Sequence, residues 1–254
     1  MSARLKRGVT RAAVAAIFFT LLLCGGTGLA QGRRPVDLEL VLAVDASSSV
    51  SAGEFNLQMQ GLAEAFRNPA VQGAVRAAGD LGVAVAMVQW SDNRKQTLAI
   101  DWRVVWDEAS ADAFAREIDN TPRYLIGGGT AIGGAVNFSA YQLRINRFDG
   151  RRKVIDVSGD GRTNQGSNPA RARDAAVAEG ITINGLAILN EDGLVDRHYL
   201  ANVIGGTGSF VLVADDYSDF ARAILEKLIK EIAGVPIAAL PADGAGAQQA
   251  AEAE

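Results

Sequence analysis

Three short stretches of this 254-residue chain concentrate side chains whose chemistry goes beyond packing. Asp45-Ala46-Ser47-Ser48-Ser49 sets one carboxylate and two hydroxyls at alternate positions. Gly127-Gly128-Gly129-Thr130 presents a hydroxyl after residues that can turn tightly and approach a ligand closely. Ser158-Gly159-Asp160-Gly161 adds a second carboxylate. The candidate donors Asp45, Ser47, Ser49, Thr130 and Asp160 are all oxygens, the ligands that hard divalent ions such as Mg2+, Mn2+ or Ca2+ prefer; magnesium also keeps waters in an octahedral shell. Each stretch by itself equally fits a polar turn or a helix cap, and Thr130 is placed to cap a helix opening at Ala131. Asp156 competes with Asp160, although a residue four positions earlier falls inside a strand, where a buried, hydrogen-bonded carboxylate is the simpler reading.

The stretches gain weight from the elements that carry them. Short apolar runs at Leu38 to Val44, Leu81 to Trp90, Lys153 to Val157, Ile181 to Leu189 and Phe210 to Ala214 read as strands. Helical patterns occupy Glu54 to Arg67, Ala109 to Asp119, Ala131 to Asn146, Pro169 to Glu179 and Asp219 to Ile232. Gln96 to Ile100 reads as a hairpin partner at the sheet edge. This alternation predicts an α/β fold: three αβα layers, doubly wound, with a mostly parallel sheet and one antiparallel edge strand. In such sheets ligands bind at the carboxyl ends of the strands, where Asp45 and Asp160 fall.

Taken together, the three loops resemble the metal-ion-dependent adhesion site (MIDAS) of von Willebrand factor A domains. There an Asp-x-Ser-x-Ser loop, a Thr before a helix and an Asp-Gly after a strand hold one ion. Trp90-Ser91-Asp92 resembles the aromatic-Ser-Asp strand ending common in these domains, and Val154 to Asp160 and His198 to Val211 are similar to an uncharacterised group of exported bacterial members, the DUF1194 type. The resemblance runs from Val36 to Ile232. It implies a Rossmann-like fold, a divalent cation on the five residues named, and a protein partner whose carboxylate completes the ion's shell. One departure stands out: the family places a hydroxyl residue next to the Asp, whereas here Gly159 intervenes between Ser158 and Asp160.

Composition bounds the remainder. Residues 1–30 read as a secretory signal: Arg4, Lys6, Arg7 and Arg11, then apolar Ala12 to Leu23, then Gly28-Leu29-Ala30 at a cleavage position. The apolar run is shorter than the roughly 20 residues of a membrane-spanning helix. The only cysteine, Cys24, lies in this segment, so the exported chain has no disulfide or thiolate site. A lipid anchor on Cys24 conflicts with the bulky Leu23 before it. Losing four of 25 basic residues leaves 21 against 29 acidic ones, a net charge of -8 that disfavours nucleic acid and anionic membranes. Residues 36–234 form the expected domain, and 235–254, rich in Ala, Gly and Glu, an expected disordered tail. Localisation is therefore periplasmic or secreted.

Among enzymes, a nucleotide-binding site lacks its motif, because Gly127 to Gly134 contains no lysine to meet a phosphate. A serine hydrolase lacks a Gly-x-Ser-x-Gly elbow, and the only histidine, His198, reads as a surface or helix-capping residue. The remaining alternative is a metal-dependent hydrolase acting on a phosphoester at the same rim, with Asp92 as a further nearby carboxylate. Trp90, Trp102 and Trp106 near the edge hairpin read as packing before they read as a binding platform, and Arg151-Arg152-Lys153 as a solvated turn.

Overall fold

The computed structural model describes residues 32–234, so the expected signal with Cys24 and the expected tail lie outside the described residues. The first strand, β1 (Arg34–Asp45), is followed by α1 (Ala52–Arg67) and α2 (Pro69–Ala78). The hairpin β2 (Val83–Trp90) and β3 (Gln96–Val105) leads to α3 (Glu108–Asp119) and α4 (Ile132–Ile145). Next come β4 (Phe148–Gly159), α5 (Pro169–Ala178), β5 (Ile181–Ile188), α6 (Val195–Asn202), β6 (Val211–Ala214) and α7 (Phe220–Ala233). The strands lie in the order β3-β2-β1-β4-β5-β6, parallel except for the β2–β3 pair, as the alternation of runs predicts.

From Leu40 to Val44 strand β1 is apolar throughout because neighbours flank it on both edges and helices cover both faces. Leu40, Leu42 and Val44 enter one core with side chains of α1, α2, α3 and α7, while Val41 and Ala43 enter a second core with α4, α5 and α6. The order reverses between β1 and β4, and a doubly wound sheet opens its ligand crevice at such a switch point. A capping box starts α1: Ser51 accepts from the Glu54 amide, and Glu54 accepts from the Ser51 amide.

Several elements depart from the sequence expectation. Helix α2 begins at Pro69, whose fixed φ suits a first helical position, with the Asn68 side chain capping it. Its buried stripe is short, and so is that of α6, where only Val195 and Tyr199 are buried; neither gives a clear period. Strand β4 begins at Phe148, so Arg151-Arg152-Lys153 is strand and not a turn. Those charges have partners the sequence does not display: Arg151 pairs with buried Asp37 at 2.7 Å, and Arg152 donates to the carbonyls of Glu231 and Ile232 at the end of α7. Trp90 and Trp102 are core residues, while Trp106 is exposed.

Helix α7 carries the expected apolar stripe and, within it, a fully buried Lys227. Its ammonium lies 2.7 Å from Asp156 and also pairs with Glu231, which accepts from Asn184 at 3.0 Å. Asp156 is thus bound beneath the sheet to a lysine. Burial, and next the charge of Asp156, push the Glu231 carboxyl up from its ordinary range. Removing one member of a buried ion cluster leaves an uncompensated charge and costs about 3–5 kcal/mol, whereas replacing the whole set with apolar residues is often neutral. Lys227→Met is therefore expected to lower unfolding stability by about that amount in urea denaturation, and the triple variant Lys227→Met, Asp156→Leu, Glu231→Leu to recover most of the loss.

Candidate metal centre

Asp45 ends β1, and the loop after it is held in a fixed form. Asp45 Oδ1 accepts from the Ser47 amide at 2.7 Å, an Asx turn, and its carbonyl accepts from Gln58 of α1 at 3.0 Å. The Arg123 guanidinium clamps the loop by donating to the carbonyls of Ala46, Ser47 and Val50 at 2.8 to 2.9 Å. The Ser47 and Ser49 hydroxyls lie 3.1 Å apart, and Ser49 donates to Asp160 Oδ1 at 2.8 Å. Four of the five expected donors are thereby linked in one hydrogen-bonded row.

Thr130, the fifth, is buried on the neighbouring loop. Its amide donates to the Asn164 side chain at 2.9 Å, and its carbonyl accepts from the Asn164 amide at 3.0 Å, which ties it to the segment following Asp160. A methyl group built on Gly161 would sit 3.5 Å from Thr130 Oγ1, so that hydroxyl borders the Asp160 turn. The expectation that Thr130 also caps the helix is incorrect. α4 begins one residue later, with Ala131 at its cap position and no side-chain cap, because Thr130's backbone is already committed to Asn164.

Two glycines are required by this packing. Gly128 has φ +103° and lies so close to Ser91 that a Cβ would come within 2.4 Å of its hydroxyl, while its carbonyl accepts from Ser48 Oγ at 2.7 Å. Gly159, the departure from the family pattern, has a steric cause: a Cβ there would meet Asp45 Oδ2 at 2.7 Å and the Tyr199 hydroxyl at 2.9 Å.

The electrostatics are unusual for a polar rim. Asp45 and Asp160 are fully buried, neither forms a salt bridge among the described residues, and Oδ2 of each has no hydrogen-bond partner. Burial, and next the negative charge of Asp160, push the Asp45 carboxyl up to about 7, and burial likewise raises Asp160. The phenols of Tyr199 and Tyr217 are also buried, Tyr217 beside Asp160; burial first, and then these carboxylates, raise both. Two unpaired buried carboxylates beside three hydroxyls make a donor set that a divalent cation would satisfy. No cluster of three or more His, Cys, Asp or Glu side chains occurs among the described residues, so any cation here would depend on the hydroxyls.

Asp92 approaches the glycine loop but is engaged by the Arg94 amide and by Lys95. His198 lies within α6 and caps nothing. Its Nε2 accepts from the Thr163 amide at 3.4 Å and its Nδ1 meets Asn202, so the ring props the segment after Asp160. Arg123, Gln58, Asn164, Tyr199 and Tyr217 complete the surroundings, and no spacing in the sequence marks them.

The fold is that of a von Willebrand factor A-like α/β protein. Among solved structures, the chain is similar to proximal thread matrix protein 1 from the mussel byssus, with a TM-score of 0.58 and 18% identity over 79% of this chain and 49% of that one. The same protein with a zinc-occupied MIDAS motif gives 0.54 and 19% over 78% and 46%, and von Willebrand factor type A from Catenulispora acidiphila gives 0.51 and 16% over 78% and 43%. The chain spans about half the length of these structures. It belongs to the family described as "Protein of unknown function (DUF1194)", whose model matches residues 35–236. Among curated proteins none matches it.

The raised Asp45 carboxyl has a stability consequence whose sign is fixed by linkage. Its folded-state value of about 7 exceeds the ordinary 3.8, so the folded state binds the proton more tightly than the unfolded chain does. The metal-free protein should therefore lose stability as pH rises from about 4 to about 7. Between pH 5 and pH 8 in chelator, urea unfolding should show wild type losing about 2–3 kcal/mol relative to Asp45→Asn, at roughly 1.4 kcal/mol per pKa unit.

Proposed function

We propose that this chain is an exported, metal-dependent protein-binding module in which Asp45, Ser47, Ser49, Thr130 and Asp160 hold one divalent cation, Mg2+ in the first instance. The observation that carries this reading is the pair of buried carboxylates, each with an orphaned oxygen and neither in a salt bridge among the described residues, beside three hydroxyls at the switch point of the sheet. The solved relative with a zinc-occupied MIDAS motif supports a divalent metal on this kind of rim. When bound, the cation supplies an open position that an acidic side chain of a protein partner can fill.

The chain's own residues prepare that contact. Arg123 and Gln58 fix the Asp45 loop, Ser48 docks it to the glycine loop, and Asn164 binds Thr130 to the segment after Asp160. Hydrolysis at the same rim would need a base, and both ring nitrogens of His198 are engaged by Thr163 and Asn202, which favours binding over turnover. Export rests on residues 1–30 as a signal; among the described residues no helix is long and apolar enough to cross a membrane.

Calorimetry on the chelator-stripped full chain should find one Mg2+ or Mn2+ bound per molecule, with a raised melting temperature. Asp45→Ala and Asp160→Ala should abolish both while remaining folded, since each removes a costly buried charge. Retention of an acidic partner on the immobilised chain should be lost in chelator. Absence of any divalent binding to the wild type would overturn the proposal, and Mg2+-dependent release of phosphate from a panel of phosphoesters would replace it with the hydrolase.

A further inference from the structure

At the far end of the sheet from this rim, a cavity of about 420 Å³ opens where β4 and β5 begin, bounded by the end of α7 and the loop before β6. Pockets of a few hundred Å³ suit small ligands. We infer that this cavity binds a compact polyanion, a phosphorylated or polycarboxylated small molecule, between Arg152, Lys153, Lys230 and the glycine loop at Gly206.

The charge on its walls is the first argument. Arg152, Lys153 and Lys230 line the cavity and form no ion pair among the described residues, although the sequence as a whole is acidic. Arg152 donates to two neutral carbonyls, and burial lowers its pKa against the opposing charges of Glu231 and Asp37. The Lys230 ammonium lies 5.3 Å from the centre of the Phe210 ring and forms no ion pair among the described residues. The acidic residue on the wall, Glu231, is paired with Lys227, so Lys153 and Lys230 carry the charge that a ligand would meet.

The loop is the second argument. Gly206 has φ +91° and packs where a Cβ would meet the Thr182 backbone at 2.9 Å, so the turn admits only glycine. Thr182 donates to the Thr207 carbonyl, and Asn184 accepts from the Phe210 amide at 3.1 Å, which holds the loop against β5. The amides of Gly206, Thr207 and Gly208 make no hydrogen bond to protein among the described residues, and Gly208 also has positive φ. Successive free amides in such a turn form an anion-binding concavity. Gly206, Thr207 and Gly208 line the same cavity as Arg152, Lys153 and Lys230, and this combination favours a ligand with two or more negative charges.

The test uses the full chain stripped of metal by a chelator that is then dialysed away, so that the rim carries no metal and no polycarboxylate competes, with pyrophosphate and citrate titrated separately by calorimetry. Binding of pyrophosphate alone identifies phosphoryl chemistry, and binding of citrate alone or of both identifies carboxylate tolerance. In either case affinity should fall about tenfold or more in Lys153→Gln/Lys230→Gln, fall with added salt, and stay unchanged in Asp45→Asn. The two lysines make no structural ion pair, so the double variant is expected to fold as wild type. The inference is overturned if neither anion binds, or if the double variant binds as tightly as wild type. Because Asp45→Asn reports separately on the rim, failure here leaves the metal proposal intact, and the reverse holds as well.

Discussion

Two carboxylates buried close together at the ends of β1 and β4, neither in a salt bridge among the described residues, set the terms for the rest of this molecule. Burying an unpaired charge is among the costliest arrangements a fold can contain. The same protein shows the usual remedy a few residues away. Asp156, one turn of strand below Asp160, is answered by Lys227 from α7. A lysine serves the lower carboxylate, while neither member of the upper pair forms a salt bridge among the described residues, in keeping with the proposal that a cation from solution meets it.

The surroundings of the pair follow from that constraint. Asp45 Oδ1 is occupied by the Ser47 amide and Asp160 Oδ1 by the Ser49 hydroxyl, which orients each carboxyl and leaves Oδ2 free. Gly159 has no side chain because Asp45 and Tyr199 fill the space a methyl would need. The family pattern offers a hydroxyl next to the Asp; here Ser158 is one position further back, buried within β4, with its hydroxyl 3.5 Å from the Ala43 carbonyl. The insertion is thus a local solution to packing a tyrosine from α6 against the site.

Much of this was legible in the sequence, for physical reasons that also mark where legibility stops. Strands buried on both faces show as unbroken apolar runs, so β1, β2 and β5 are visible. Loops at strand ends show as clusters of Asp, Ser and Gly, so Asp45, Ser47, Ser49, Thr130 and Asp160 stand out. Helices α2 and α6 did not, because each buries too few positions to give a period. The start of β4 was hidden by Arg151-Arg152-Lys153, a run that reads as solvent-facing until Asp37 and the end of α7 are seen to receive it. Lys227 and Glu231 illustrate the same limit: at i, i+4 they resemble a surface pair, and only the packing of α7 on the sheet places them inside. Arg123 acts on backbone carbonyls, and such contacts leave no trace in side-chain spacing.

Helix α7 is the element that approaches both ends of the sheet. The residues just before it bring Tyr217 to the side of Asp160, and its last carbonyls are held by Arg152 at the opposite cavity. Position alone does not couple two sites, since a ligand shifts a conformation only by its differential affinity for two states. Any sliding of α7 along the sheet would separate Lys227 from Asp156 while both remained buried, at a cost of about 3–5 kcal/mol. Coupling energies between sites are typically about 1–3 kcal/mol, less than that penalty. The buried triad therefore acts as a bolt on α7, and on these energetics the proposed rim site and the proposed cavity site would respond to ligands independently.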